Sequence, residues 1–485
     1  MKQRWQPTTQ RLPIEYALQP FQRFARNEAS SGILLLLATV IALLWANSPW
    51  SAGYFELLQM PVTFAAGSFE LSKPLLLWID EGLMAVFFLL VGLEIKRELL
   101  VGELSSPRQA ALPILAAVGG MVAPALIYLS LNPVGSTSRG WGVPMATDIA
   151  FALGILALLG RRVPLCLKVF LTAVAIVDDI GAVLVIALFY SAQLHGAALA
   201  LACVIFLTLL LINVLGIQHP MVYVLLGCGL WLALLESGLH ATIAGVLTAL
   251  AVPARARMEP QEFVVQCRSI LDDFEAACRD GSSILTNQCQ QEALQALETA
   301  SEHVETPLQR LEHTLLPWVT FFIMPVFALA NAGVPFRGNL AAGLTSSVGL
   351  GVIAGLVLGK QAGIMLFSWL GTRLRFADLP RGATWLQFYG VAWLAGIGFT
   401  MALFIAGLAF GEQGSALATV KVAILAASLI AGGGGWAILR RTCPLPTNRK
   451  QARAGAPAHD ESLASRLPTA GSRNGSYCSP GERGG

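Results

Sequence analysis

The chain has 485 residues, 55% of them hydrophobic and only 13% charged, with a mean hydropathy of +0.64. Soluble domains carry about 25% charged residues, so the composition excludes an ordinary soluble protein and points to an integral membrane protein. A net charge of +3, with no basic cluster interleaved with aromatics, gives no footing for a nucleic-acid partner.

Residues 1–28 are too long and too polar for the n-region of a signal peptide. The apolar run from Ala29 to Ala46 lacks a small-residue cleavage site, so it reads as a first, uncleaved transmembrane helix. About 20 apolar residues cross a bilayer. That rule gives about twelve spans, near 29–48, 75–95, 110–131, 144–160, 165–190, 196–215, 220–236, 239–253, 315–333, 347–370, 387–410 and 417–439. The fourth and eighth are short. Lys and Arg crowd the N-terminus and the loops after the second, fourth, eighth, tenth and twelfth spans, while the alternate loops hold only Lys73, Arg139 and Arg337. The loop after the sixth span is uninformative. The bias predicts that both termini are cytoplasmic.

The expected organisation is a cytoplasmic N-terminal segment (1–28), a transmembrane domain (29–440) carrying a long cytoplasmic insertion (254–313), and a disordered cytoplasmic tail (441–485) rich in Pro, Gly, Ser and Arg. In the insertion, Phe263, Val264, Ile270, Leu271 and Phe274 predict an amphipathic helix, and residues 293–303 a second. The external stretch 61–71 reads as two short strands around Gly67. Such a hairpin can pair with a second copy as a homodimer contact or form a simple surface turn. Of the eight cysteines, Cys267, Cys278, Cys289, Cys443 and Cys478 lie in stretches placed in the cytoplasm, where thiols stay reduced.

Four charged residues fall well inside spans: Asp148, Asp178, Asp179 and Lys360. Each costs about 2.5–3.5 kcal/mol at a helix centre on insertion scales, so two adjacent aspartates in the fifth span need a partner, a bound cation or a watery cavity. Adjacent helical residues point about 100° apart. One aspartate can therefore face an ion cavity while the other meets a cation on a neighbouring helix, and Lys360 is the only lysine well inside a span. Carboxylate oxygens suit small hard cations, and a buried cluster of this kind can also carry protons. Pro144 and Gly154 bracket a short segment in the fourth span. The eleventh carries Gly390, Gly396, Gly398 and Gly407. Interrupted spans in matching positions of two repeats mark transport sites. Spans 3–5 and 10–12 are offset by seven, an odd number, so they would be inverted repeats, with spans 4 and 11 as the corresponding broken pair.

Glu94, Lys96, Arg97 and Glu98 sit at the cytoplasmic end of the second span, and Glu312 and His313 face the same compartment. They form either ordinary interfacial helix ends or a funnel that gathers cations and senses pH. Asp80, Glu81 and Glu236 read as solvated external ends, and His240 as structural. The stretch from Gly355 to Gln361 is not a P-loop, because Ala354 occupies the first required glycine and Gln361 the Ser/Thr position. Nothing else suggests a nucleotide or another cofactor, so transport would run on ion gradients.

Several stretches together resemble the NhaA-type sodium/proton antiporters: Val86–Leu99, Ala146–Gly154, the Asp178-Asp179 helix, Ser237–Val246, Phe327–Val334 and Gly396–Met401. The resemblance covers about Ala29 to Arg440. It implies an all-α polytopic membrane protein with inverted-topology repeats and two crossing broken helices, the kind of architecture for which that family is a known example. It also implies roles: Asp179 as principal Na+ ligand with Asp178 beside it, exchanging interactions between Lys360 and a proton; Asp148 and Lys360 balancing like-charged ends of the broken helices; Thr147 lining the site; Glu94, Glu98, Glu312 and His313 in a pH-sensing region. Leu316 departs from the pattern, where a histidine is common, and the long insertion is atypical; both bear on the pH profile. The expected activity is electrogenic, pH-regulated export of Na+ and Li+ against inward protons across a bacterial inner membrane. A sodium-coupled organic-anion symporter is the alternative. An intramembrane aspartyl protease using Asp148 and Asp178 is disfavoured, because Thr147 and Val177 precede the aspartates where such enzymes carry Tyr and Gly.

Overall fold

The computed structural model describes residues 28–444 apart from 67–68, 191–194, 257, 279–286, 337–342, 381 and 412–415. The expectations for residues 1–27 and for the tail beyond 444 lie outside the described residues. Apolar helices dominate because a backbone in hydrocarbon must satisfy every N–H and C=O within itself.

The helices run α1 (Glu28–Ala46), α2 (Ser51–Gln59), α3 (Leu75–Val101), α4 (Pro107–Leu131), α5 (Ile149–Leu159), α6 (Leu165–Phe189), α7 (Gly196–Val214), α8 (Pro220–Ser237), α9 (Ile243–Ala251), α10 (Pro260–Cys278), α11 (Gln288–Val304), α12 (Pro307–Asn331), α13 (Ser347–Arg373), α14 (Trp385–Ala395), α15 (Phe399–Phe410) and α16 (Leu417–Thr442). Among the described residues nine helices are long and apolar enough to cross a membrane, counting α5 with the 3-10 segment before it as Ser136–Leu159, or eleven when the bent pairs α1/α2 and α14/α15 each count as one span. The sequence-derived count of about twelve differs at α9. That helix has nine residues, too few to span alone at 1.5 Å per residue. Leu36, Leu37, Ile41 and Leu44 of α1 and Val204, Leu207 and Leu211 of α7 are exposed, as lipid-facing side chains are.

The hairpin forms as expected, though with a longer second strand. β1 (Pro61–Ala66) pairs antiparallel with β2 (Phe69–Pro74), Thr63 opposite Ser72 and Phe64 opposite Leu71. The Thr63 and Ser72 hydroxyls are 2.8 Å apart, and Phe64 stands edge-on to Trp78 at 5.0 Å. Asp80 is not merely solvated, because Asn331 Nδ2 donates to its Oδ1 at 2.6 Å.

Both helices of the insertion are present. Phe263, Ile270 and Phe274 of α10 pack on Ala293, Ala296, Leu297 and Ala300 of α11 as a small separate core. Val264 and Leu271, expected on the same face, are exposed, because the inward stripe is narrower than the apolar pattern.

Two close approaches fix the centre of the molecule. Gly119 of α4 and Gly363 of α13 meet backbone to backbone; a Cβ on either would strike the other's carbonyl oxygen. Gly154 of α5 packs on Gly32 of α1, so it is a contact point and not the break expected from the sequence. Within each triplet the first and last helices pack together, α4 with α6 and α13 with α16, and α4 packs along α13.

Candidate functional site

The site is built where two helices are interrupted. A 3-10 segment, Ser136–Met145, ends in extended backbone before α5 starts at Ile149. On the other strand of the crossing, α14 ends at Ala395 and α15 starts at Phe399, bent by 44°. Glycines at 396 and 398 leave room for the crossing, since a Cβ on Gly398 would crowd Ala402, Leu356 and the carbonyl of Ala146. The two breaks are joined directly: Asp148 N donates to Ile397 O at 2.7 Å.

Helix N-termini expose N–H groups and positive dipole ends, and C-termini expose carbonyls. Here two N-termini, of α5 and α15, meet in a buried crossing. One carboxylate serves both. Asp148 Oδ1 accepts from Phe151 N at 3.0 Å, and Oδ2 accepts from Thr400 N at 3.1 Å and from the Thr400 hydroxyl. The opposing carbonyl ends are met by donors: Lys360 Nζ donates to Met145 O, and Thr147 Oγ1 lies 2.8 Å from Ala395 O. Asp148 and Lys360 are 1% and 0% exposed, so these contacts act without solvent screening. A π-helical turn, Gly355–Gly359, leads directly into Lys360. Such single-turn insertions recur at functional positions of α-helices, and this one sets the register that aims the lysine.

Asp178 and Asp179 divide as the 100° step requires. Asp178 Oδ2 accepts from Lys360 Nζ and from Thr147 Oγ1, each at 2.6 Å. The Thr147 hydroxyl has one proton and two acceptors in reach. It donates to an ionised Asp178; when Asp178 is protonated, it can accept from the acid and donate to Ala395 O. Asp179 is fully buried, and neither of its oxygens has a hydrogen-bond partner among the described residues. It lines a cavity of about 910 Å3 together with Asp148, Glu94, Glu98, Thr172 and Lys168. The exposed Val101, Leu165 and Leu316 mark the mouth, so Leu316 stands at the entrance.

Three of the four expected pH-sensing residues come together. Arg97 lies 3.9 Å from Glu94, 3.7 Å from Glu98 and 3.4 Å from Glu312. His313 points elsewhere, its Nδ1 3.4 Å from Glu305. Asp148 and Asp178 are committed to different partners and do not form an acid dyad. His240 Nε2 is 2.7 Å from Tyr190 O, consistent with a structural histidine.

The sequence reading missed the second cap residue Thr400 and did not foresee that Arg97 joins three carboxylates. Thr400 lay in the Gly396–Met401 stretch, but only the crossing reveals that its hydroxyl meets Asp148. Arg97 was placed with Glu94, Lys96 and Glu98 at the cytoplasmic end of the second span, without a role of its own. Its spacing from Glu94, i to i+3, was a signal for a helical ion pair.

The fold and the site define a polytopic α-helical membrane protein with a buried, charged centre at the crossing of two broken helices, beside a cavity. The family described as Na+/H+ antiporter 1 matches residues 22–439, and the chain belongs to that family. It is 55% identical over 428 residues to the Na+/H+ antiporter NhaA of Oleidesulfovibrio alaskensis, covering 88% of this chain and 95% of the relative. It is 50% identical to the NhaA antiporter of Koribacter versatilis, covering 90% and 94%, and 45% identical to that of Escherichia coli, covering 87% and 98%.

Proposed function

We propose that the protein exports Na+, and Li+, in exchange for protons entering the cell, and that Asp179 is the carboxylate both cations compete for. The observation that carries this reading is the fully buried Asp179, which lines the cavity with both oxygens unpartnered. Leaving a carboxylate so deep without a protein partner is costly, and a proton or a small hard cation relieves that cost. Asp178 is the second proton-handling group. Its bond to Lys360 competes with protonation, and Thr147 relays the change to the broken helix. Glu94, Glu98 and Glu312 around Arg97 form the pH-responsive region at the entrance.

Moving more than one proton per Na+ makes the cycle electrogenic, and each net charge gains about 2.3 kcal/mol per 100 mV of membrane potential. In this reading the protein lies in the bacterial inner membrane, with both termini, the insertion and the cavity mouth cytoplasmic. Alternating access moves one helical group against the other around the crossing, and the β1–β2 hairpin offers a contact to a second copy. The organic-anion symporter is disfavoured, because the titratable groups deepest in the cavity, Asp148 and Asp179, would repel an anion.

The test is proton flux in proteoliposomes with an imposed pH gradient. Na+ and Li+ should dissipate the gradient and K+ should not. Failure of every cation from mildly acid to alkaline pH would overturn the reading.

A further inference from the structure

Lys360 and Gln361 are consecutive on α13 and so point about 100° apart. Both are buried, 0% and 3% exposed. Lys360 Nζ reaches the carbonyl of Met145, at the end of the 3-10 segment that leads into one helix break. Gln361 is turned to the other break. A Cβ on Gly396, the first residue after α14, would stand 2.7 Å from Gln361 Nε2, 2.6 Å from Leu356 O and 3.1 Å from Trp393 O. The amide therefore lies against the carbonyl end of α14, in the space left by a glycine. Yet among the described residues neither Nε2 nor Oε1 of Gln361 has a hydrogen-bond partner.

An amide brings two donors and an acceptor, and burying them unpaired is costly. A methionine of similar length would fill the space without that cost. The carbonyls at the end of α14 are served from within the break itself: Gly396 N donates to Trp393 O at 3.0 Å, and Ile397 N to Leu394 O at 3.1 Å. Those bonds hold only while residues 396–397 keep their present turn. A rearrangement of the break withdraws them. Gly396 and Ile397 are both buried, so the freed carbonyls at the helix end then need a donor from the protein. Gln361 Nε2 is the donor at hand.

We propose that Gln361 is a positioning residue for exchange: when the broken helices rearrange to pass the ion, its amide takes over from the Gly396 N–H as donor to Trp393 O. It does not line the cavity and is not an ion ligand. Its amide is unpaired in the arrangement seen here and paired in the rearranged one, so it lowers the free energy of the second relative to the first. The inference rests on the exchange reading above.

The test compares full-length wild type, Q361M and Q361L in proteoliposomes, by Na+-driven proton flux and by 22Na+ entry into Na+-loaded vesicles. Equilibrium 22Na+ binding and thermal unfolding are measured on the same purified proteins. Q361M should unfold at a temperature no lower than wild type and bind 22Na+ no more weakly. Its maximal proton flux and 22Na+ entry should fall on the order of tenfold, the shift expected for about one net hydrogen bond. Weaker binding together with a lower unfolding temperature would mark Gln361 as a structural residue and overturn the role. Q361L takes the place of Q361M should the latter not unfold cooperatively. Flux and entry equal to wild type in an apolar variant that unfolds cooperatively also overturn the role of Gln361, and leave exchange intact. A wild type with 22Na+ entry but no Na+-driven proton flux overturns exchange, and a loss of that entry in Q361M with binding retained still supports Gln361.

Discussion

Asp178 and Asp179 are neighbours in sequence but face different sides of α6, about 100° apart. Asp178 Oδ2 is 2.6 Å from Lys360 Nζ, whereas both oxygens of Asp179 are unpartnered and the residue lines the cavity. Two carboxylates of identical chemistry are thereby given different work, one held by a fixed ammonium and the other left for a mobile cation.

Asp179→Asn should abolish Na+-driven proton flux and 22Na+ binding. It should not lower the melting temperature in detergent, since no protein hydrogen bond to Asp179 is lost. Residual exchange above a tenth of wild type would show that another group carries the ion.

Lys360→Met leaves the Asp178 charge buried and unpaired. Removing one partner of a buried pair costs about 3–5 kcal/mol, so the variant should unfold at markedly lower temperature. Adding Asp178→Asn should recover much of that loss, with coupling visible in a double-mutant cycle. Additive losses would mean that the pair is not a unit.

Asp148 caps two helices, so its substitutions should be graded. Asparagine keeps one acceptor oxygen and presents an amide donor on the other side. It can serve Phe151 N or the Thr400 pair, but not both, and should cost about 1 kcal/mol. Alanine loses both caps and should cost about 2–3 kcal/mol, given typical single-cap values. Thermal unfolding of D148N and D148A checks the order, and equal losses would argue against the double cap.

Proton and Na+ competition at one carboxylate fixes the sign of the pH effect. Below the operative pKa of the loaded site, each unit fall in pH should raise KM for Na+ by up to tenfold while kcat at saturating Na+ changes less. The initial rate of proton flux against Na+ concentration at three pH values tests this. A KM independent of pH would separate the two ions onto different groups.

The insertion should be dispensable for ion binding. Its two ends are adjacent, with Met258 N donating to His303 O at 3.2 Å, and it has its own small core. Replacing residues 259–302 by a short Gly/Ser linker closes a small gap at little entropic cost. The shortened protein should bind 22Na+ as wild type does; loss of binding in a protein that still unfolds cooperatively would tie the insertion to the site.

The sequence by itself determined the membrane class, nearly all of the helical segments, the four intramembrane charges and the assignment of one aspartate to Lys360 and the other to a cavity. These follow from local quantities: apolar length against bilayer thickness, the cost of charge in hydrocarbon, and the 100° step between neighbours. Only the tertiary structure decided where the helices break and what meets there. Gly154 looked like an interruption and proved to be a packing contact with Gly32. The family resemblance placed Asp148 at the ends of the broken helices, but only the structure named the groups it meets, Phe151 N of α5 and Thr400 of α15. Arg97 was legible as part of a charged helix end, but only the structure shows it gathering three carboxylates while His313 turns to Glu305. The physical reason is that a cap, a crossing or an ion-pair hub depends on which backbone ends and side chains converge from segments up to about 250 positions apart, and no local periodicity encodes that distance.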